Sequence, residues 1–329
     1  MTPRTMQARA SARANIALAK YWGKTDLEHN VPAVPSISLT LDQLVTETEV
    51  CFVEKLEHDV VMLDGRPATA SEARRVTAML DRVRRAAHVR WKAKVTSSNH
   101  FPTAAGLASS ASGFAALAVA STRAAALELD AEALSVLARE SSASAARSIF
   151  GGFVELPGGG PGERSLAARQ IAPERHWDVR LLVALTAAGP KSVSSTEAME
   201  RSRKTSPYYQ AWVERAPHWA AAIKHAIRDR DLVALGSAME HSTFSFHSCA
   251  MTSEPRVLYW NPASVAVLHT VTGLRESGVS AWSTMDAGPH VKVLCEAADA
   301  PHVQQALLRT PGVLETRIAR PGPGFEVLA

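Results

Sequence analysis

Two stretches near the N-terminus alternate apolar and polar side chains with period two. Ser36-Ile37-Ser38-Leu39-Thr40-Leu41 is the first, and Thr46 to Val53 (TETEVCFV) repeats the pattern with β-branched residues, so both predict strands. Residues 70–87 change period: Val76, Met79, Leu80 and Val83 fall on one face among charges, which predicts an amphipathic helix. Trp91 to Thr96 returns to strand, a helix opens after residues 102–106, and Ala131 to Arg139 is a short helix. Phe153–Leu156 and Val179–Leu185 read as strands separated by the turn-rich segment 157–162. The second half is more helical, over 208–228, 231–241, 262–277 and 300–308, with strands over 279–284, 291–294 and 313–318. Strands and helices mix without strict βαβ alternation, which predicts an α+β fold of two-layer domains. The turn Ala188-Gly189-Pro190 sets the expected boundary, giving domains 1–189 and 190–329.

Composition narrows the function more than the fold. Of 329 residues, 36 are Lys or Arg and 32 Asp or Glu, a net +4, and 46% are hydrophobic. That excludes disorder as the main state. No basic run exceeds a pair, so a nucleic-acid partner is not expected, whereas a pocket for small polyanions is. Three dispersed cysteines without a CxxC argue against a disulfide framework or zinc site and point to a reducing cytosol. The N-terminus lacks a signal-peptide layout. Residues 101–122 carry no charge, yet Pro102, Gly106, Gly113 and a predominance of Ala favour a buried helix over a membrane span.

Neither GxxxxGK[ST], a usable GxGxxG nor HExxH is present. The leading candidate for chemistry is Pro102-Thr-Ala-Ala-Gly106-Leu-Ala-Ser109-Ser110-Ala-Ser112-Gly113. Small residues let backbone approach an anion, and a helix opening there aims unpaired N–H groups and its positive dipole end at the ligand. Basic residues in loops form a second set. Lys20 and Lys24 flank Tyr21-Trp22-Gly23, Arg147 follows Ser142 and Ser144, and Lys191, Arg201, Arg203 and Lys204 accompany Ser202 and other serines. Each cluster joins fixed positive charge to hydroxyls, as phosphate and carboxylate recognition requires. Asp286, in Ser283-Thr-Met-Asp-Ala-Gly-Pro289, reads either as turn chemistry or as an ionised group in a positive pocket. The histidines, His241 and His247 among them, show no metal-ligand pattern and read as satisfied structural groups, and Trp212, Trp219 and Trp260 as core.

Taken together, the motifs resemble one family. The glycine-containing loop resembles the phosphate loop of the GHMP small-molecule kinases. Asn15-Ile-Ala-Leu-Ala-Lys-Tyr-Trp-Gly-Lys24, Ser97 to Ser110, Arg147-Ser-Ile-Phe-Gly-Gly-Phe153, Lys191 to Met199 and Asp286-Ala-Gly-Pro289 resemble, in the same order, the diphosphomevalonate decarboxylase branch of that superfamily. The resemblance implies a two-domain GHMP-kinase-like fold with the site in the cleft. It also implies ATP- and Mg2+-dependent decarboxylation of mevalonate 5-diphosphate to isopentenyl diphosphate, and a cytosolic homodimer with neither nucleic-acid nor membrane partners. Carried over by position, Asp286, Lys20 and Arg147 are catalytic. Tyr21, Lys24, Ser142, Ser144, Ser202 and Arg203 bind substrate, while Pro102, Ala105, Gly106, Leu107, Ala108, Ser109 and Ser110 bind ATP. Metal ligands and adenine contacts are not assigned.

The chain departs from the family pattern at Ala143, where Gly is frequent, at Ala146, where Cys is frequent, and at His290, where Asn is frequent. Ala143 would crowd the substrate if that position needs positive φ. Residues 240–249 resemble a bacterial branch. Three rival readings stay open: a decarboxylase of the 5-monophosphate, a 3-kinase that does not decarboxylate, and a catalytically silent binding protein of the same fold.

Overall fold

The computed structural model describes residues 4–101, 109–189 and 193–329. Its spine is a pair of long antiparallel strands, β1 (Thr5–Ala19) and β4 (Ser36–Val53). The two alternating segments expected at 36–41 and 46–53 are therefore one strand with an irregularity between them: Thr40 pairs with Asn15 and Val45 with Arg13, so the ladder to β1 skips residues 41–44. A short hairpin, β2 (Lys24–Asp26) with β3 (Val31–Pro32), connects them.

The first sheet grows outward from this spine. β5 (Val60–Leu63), β6 (Arg66–Pro67) and β7 (Lys92–Asn99) extend one side, with β5 parallel to β7. β8 (Phe153–Leu156) pairs the first part of β4, and β9 (Arg169–Ala172) pairs β8. Three helices cover one face: α1 (Ala70–Ala87), α2 (Ser109–Ala124) and α3 (Ala131–Ser141). Met79, Leu80, Phe114, Val119 and Leu134 fill the core there against Val50 and Phe52. A reciprocal cap starts α1: the Glu72 N–H donates to Thr69 Oγ1, and the Thr69 N–H to the Glu72 carboxylate.

The second sheet runs β11 (Ala281–Met285), β12 (Val291–Glu296), β10 (Val179–Leu185), β13 (Glu315–Ala319), antiparallel throughout. Helices α7 (Pro262–Glu276) and α8 (Ala300–Leu308) pack on one face through Val267, Val271, Val303 and Leu307. Its other face meets the first half in a shared core, where Ile16, Leu18, Ile37 and Leu39 touch Leu181, Val183 and residues of α5 (Tyr209–Asp229) and α6 (Leu232–Met251). The pairing thus places β10 with the second sheet, although a boundary after Gly189 leaves it with the first half. A turn signal marks where a strand ends, not which strands it pairs with. The C-terminal strand β14 (Glu326–Leu328) returns to the first sheet beside β1.

Two other elements differ from expectation. α6 runs ten residues past His241, since its second half has no charged residue and puts Ser242, Thr243 and His247 on the buried side, so hydropathy gives no polar face there. Arg201, Arg203 and Lys204 lie on a helix, α4 (Ser195–Thr205), rather than in a loop; it is capped by Ser194, whose Oγ accepts from the Glu197 N–H. Among the described residues no helix is long and apolar enough to cross a membrane.

Gly152 joins the two ends of the chain. Its N–H donates to the Gly322 carbonyl and its carbonyl accepts from the Thr40 N–H, at φ +66°. A Cβ there would lie 2.3 Å from the Ala172 carbonyl oxygen. We expect Gly152→Ala to cost about 1–3 kcal/mol; a urea midpoint equal to wild type would show that this corner relaxes freely.

Candidate active site

Lys20 follows β1 directly, after register shifts between Arg13 and Asn15 and between Ala17 and Ala19. Such irregularities re-aim side chains. Trp22 then anchors the turn: it is buried against Phe246, ring centroids 5.0 Å apart, and its carbonyl accepts from Trp212 Nε1 at 2.8 Å. The Lys20 N–H donates to Ser242 Oγ on α6. Its side chain is 3% exposed, and Nζ donates to Asp286 Oδ1 at 2.7 Å.

Asp286 leaves β11 as the first residue of the turn that leads to β12. Its environment decides between the two readings left open by the sequence, because the carboxylate is not a surface turn group. Lys292 Nζ, on β12, lies 3.0 Å from Oδ2, so each oxygen faces its own buried ammonium. Burial alone would raise this acid, but Lys20 and Lys292 outweigh it and hold the carboxyl well below the usual range. Burial likewise lowers Lys20, only partly offset by Asp286, while Lys292 and Arg147 push in the same direction as burial; the result is about 8.

Arg147 lies in a 3-10 helix, Ala143–Ile149, and is 2% exposed. Nε donates to Ser38 Oγ and Asn15 Oδ1, and Nη1 to Ser36 Oγ. Ser36 and Ser38, which read as the polar face of a strand, are in fact buried braces for a guanidinium. Burial lowers Arg147 to about 10, with Asp286 and Tyr21 acting against it, so the cation persists at neutral pH. The Tyr21 hydroxyl is buried, finds no hydrogen-bond partner among the described residues, and is held protonated by burial. Ser142 and Ser144 share a 3.1 Å contact beside this cluster. Ala143, between them, does not have positive φ, so its Cβ carries no backbone strain.

Lys24 and Arg203 converge elsewhere, on the wall of a cavity of about 550 Å³ that Thr25, Glu200 and Tyr209 also line. Lys24 Nζ donates to Asn30 Oδ1 and Thr196 Oγ1, and burial lowers it to about 8. Arg203 forms a two-pronged pair with Glu200 at 2.7 and 2.9 Å. Ser202 is not on that wall: it is buried, and its hydroxyl reaches the Cys249 carbonyl and Ser253 Oγ. Ser109 and Ser110 open α2, whose first turn has no acidic residue. Pro102, Ala105, Gly106, Leu107, Ala108 and Lys191 lie outside the described residues.

Two residues at the site were not among the candidates read from the sequence. Lys292 is one, and its signal was a lone lysine inside the apolar run Val291 to Cys295. His247 is the other. It is buried among Phe246, Tyr259 and Trp260, and both ring nitrogens lack hydrogen-bond partners among the described residues, so it is not the satisfied structural histidine expected. Burial and Lys20 keep it neutral. His290, by contrast, is structural: its Nδ1 accepts from the Thr186 N–H, and burial lowers it to about 4.

A mixed and an antiparallel sheet sharing a core, with serines opening a helix in one half and a caged carboxylate in the other, form a GHMP-kinase-like enzyme fold. The Diphosphomevalonate decarboxylase-like N-terminal domain matches residues 12–167, and the Mevalonate 5-diphosphate decarboxylase C-terminal domain matches 181–317. The diphosphomevalonate decarboxylase of Candida albicans is 34% identical, over 92% of this chain and 88% of its own. A solved mevalonate diphosphate decarboxylase from Staphylococcus aureus superposes with a TM-score of 0.94 at 35% identity, covering 99% of both chains. A second solved structure, MDDEF in complex with MVAPP, AMPPCP and magnesium, gives a TM-score of 0.92 at 38% identity, again over 99% of both. The chain belongs to the diphosphomevalonate decarboxylase family.

Lys20 links the site to stability. Folded, it releases its proton near 8, against 10.5 when unfolded. Between these values the unfolded chain holds the extra proton, so rising pH favours the folded state, by at most about 1.4 kcal/mol per pH unit. Wild type should therefore gain stability relative to Lys20→Met as pH rises from about 8 toward 10.5. Parallel denaturation midpoints of the two proteins across that range would contradict the assignment.

Proposed function

We propose that this chain catalyses the ATP-dependent decarboxylation of mevalonate 5-diphosphate to isopentenyl diphosphate, with release of ADP, phosphate and carbon dioxide, in the mevalonate route to isoprenoids. The observation that carries this is the Asp286 carboxylate, fixed between Lys20 and Lys292 with the Arg147 guanidinium in electrostatic reach.

Each group has a task in that reaction. A tertiary hydroxyl is a poor leaving group, so the γ-phosphoryl of ATP is first transferred to its oxygen, ADP leaving and the hydroxyl proton passing to a phosphoryl oxygen. When the C–O bond then breaks, phosphate leaves with the electron pair and positive charge grows at the tertiary carbon. The C–C bond to the carboxylate breaks next, supplying the electrons of the new double bond as carbon dioxide departs. Asp286, held so firmly as the anion, is a weak proton acceptor and an effective electrostatic partner for that positive carbon. It also orients the alcohol through its lone pairs. Arg147 is braced by Ser36, Ser38 and Asn15 through Nε and Nη1, and its described hydrogen bonds leave Nη2 for the substrate carboxylate. Tyr21, Ser142 and Ser144 add hydroxyls beside it. Lys24 and Arg203 on the 550 Å³ cavity suit the diphosphate; Ser202 supports the wall from behind through α6.

For ATP, Ser109 and Ser110 sit in the first turn of α2, where no carboxylate opposes a phosphate. Among the described residues no group of three or more metal-binding side chains occurs, which fits magnesium held chiefly by phosphates and water. When bound, magnesium neutralises charge on the phosphoryl group being transferred. The free thiols of Cys51, Cys249 and Cys295 suit a cytosolic setting. We also infer a homodimer, as the family resemblance implies, and a unit boundary ahead of β10 in place of one after Gly189.

Purified protein with Mg-ATP should release ADP and carbon dioxide in equal amounts from the 5-diphosphate and little from the 5-monophosphate. Asp286→Asn should lower kcat by about 10²–10⁴-fold while nucleotide binding persists. ADP without carbon dioxide would reveal a kinase, preference for the monophosphate a different substrate, and no turnover with retained nucleotide binding a silent binding protein.

A further inference from the structure

Lys292 carries a charge where the fold has no use for one. It is the second residue of β12, paired across to Val183 on β10 and Thr284 on β11, and is 1% exposed. Its neighbours Val291, Val293 and Cys295 point into the core under α7 and α8. Alternation turns Lys292 to the opposite face, the one shared with Leu294, which meets β1 and β4. An apolar side chain would pack there without the desolvation penalty of an ammonium, and replacing buried ion pairs by apolar residues is often neutral or stabilising.

We propose that Lys292 is a positioning residue for the decarboxylation: its ammonium, 3.0 Å from Asp286 Oδ2, pins the carboxylate from behind while Lys20 holds Oδ1. This inference rests on the functional reading above. Oδ2 is itself buried, and the group facing it is the Lys292 ammonium. The side chain nonetheless keeps 28% exposure, which belongs to its other atoms. With Lys20 alone, rotation about χ2 would exchange the two oxygens; a cation on each removes that freedom. The charged and titratable groups facing Asp286 are Lys20 after β1, Arg147 from the 3-10 helix, His247 from α6 and Lys292 itself.

The test compares wild type with Lys292→Met, Lys292→Gln and Lys292→Arg. The neutral variants should lower kcat at least about tenfold while the KM for ATP stays nearly constant. They should also move the acid limb of kcat to higher pH, because Asp286 then takes up a proton more readily. Lys292→Arg, which keeps the charge, should leave that limb at its wild-type position. Carboxyl 13C NMR of the unliganded proteins, with Asp286→Asn for assignment, should show the proton affinity of Asp286 rising at least about tenfold in the neutral variants. If wild type lacks turnover with mevalonate 5-diphosphate, the functional reading fails, and the NMR titration still decides the role of Lys292. Neutral variants with unmoved acid limb and unmoved Asp286 titration, or an arginine variant that behaves like them, would overturn the proposal.

Discussion

Everything in the site depends on an excess of buried positive charge around one carboxylate. Lys20, Lys292 and Arg147 are each 3% exposed or less, and Asp286 is the anion between them. Three cations against one anion are not balanced, and burying unbalanced charge is costly. The protein tolerates it by hydrogen-bonding Arg147 to neutral partners and by loosening the hold of Lys20 on its proton. A ligand carrying a carboxylate and phosphates supplies the missing negative charge. Substrate binding and site electrostatics are therefore one problem: the unliganded site is strained toward an anion before any anion arrives.

The scaffold explains how such a cluster is held. Lys20 comes from the end of β1, Arg147 from a short helix over the start of β4, Asp286 and Lys292 from neighbouring strands of the second sheet. Their meeting point is the edge of the core that joins both sheets through Ile16, Leu18, Leu181 and Val183. Because that core is continuous, the two halves cannot shift apart without exposing apolar surface, and the 2.7 Å Lys20–Asp286 contact spans 266 residues of sequence on rigid strands. The Trp22 anchor on α5 and α6 adds a third support at the turn that carries Lys20, Tyr21 and Lys24.

Elements with clear periodicity were legible in the sequence to the residue: α1 at Ala70–Ala87, β8 at Phe153–Leu156, β10 at Val179–Leu185 and α8 at Ala300–Leu308. What periodicity cannot carry is which surface covers a polar face. Ser36, Ser38 and Thr40 alternate with Ile37, Leu39 and Leu41 as on a half-solvated strand, yet all six are buried, because Arg147 and the Gly152 corner close over the polar side. The same blindness hid the partner of β10. Lys20 and Arg147 stood out as cations beside hydroxyls, but their catalytic roles and that of Asp286 came only from family resemblance, since residues alone favoured a turn for Asp286. Lys292 and His247 escaped both routes as site residues: one sits inside an apolar strand and the other on the buried side of a helix stretch without charges.

On the proposed reading, the lysine cage favours one contribution of the carboxylate over another. An acid held well below its ordinary range is a weak proton acceptor, so the cage does not serve Asp286 as a general base. What it gains is permanence. Departure of a tertiary phosphate leaves positive charge on carbon, and a carboxylate that stays ionised and fixed in orientation needs no reorganisation to meet it. The two lysines cannot themselves stabilise that charge, being of the same sign. Their effect is indirect, on the ionisation and rotation of Asp286. A base would be served by one weak partner; an electrostatic anvil is served by two strong ones, and two are present.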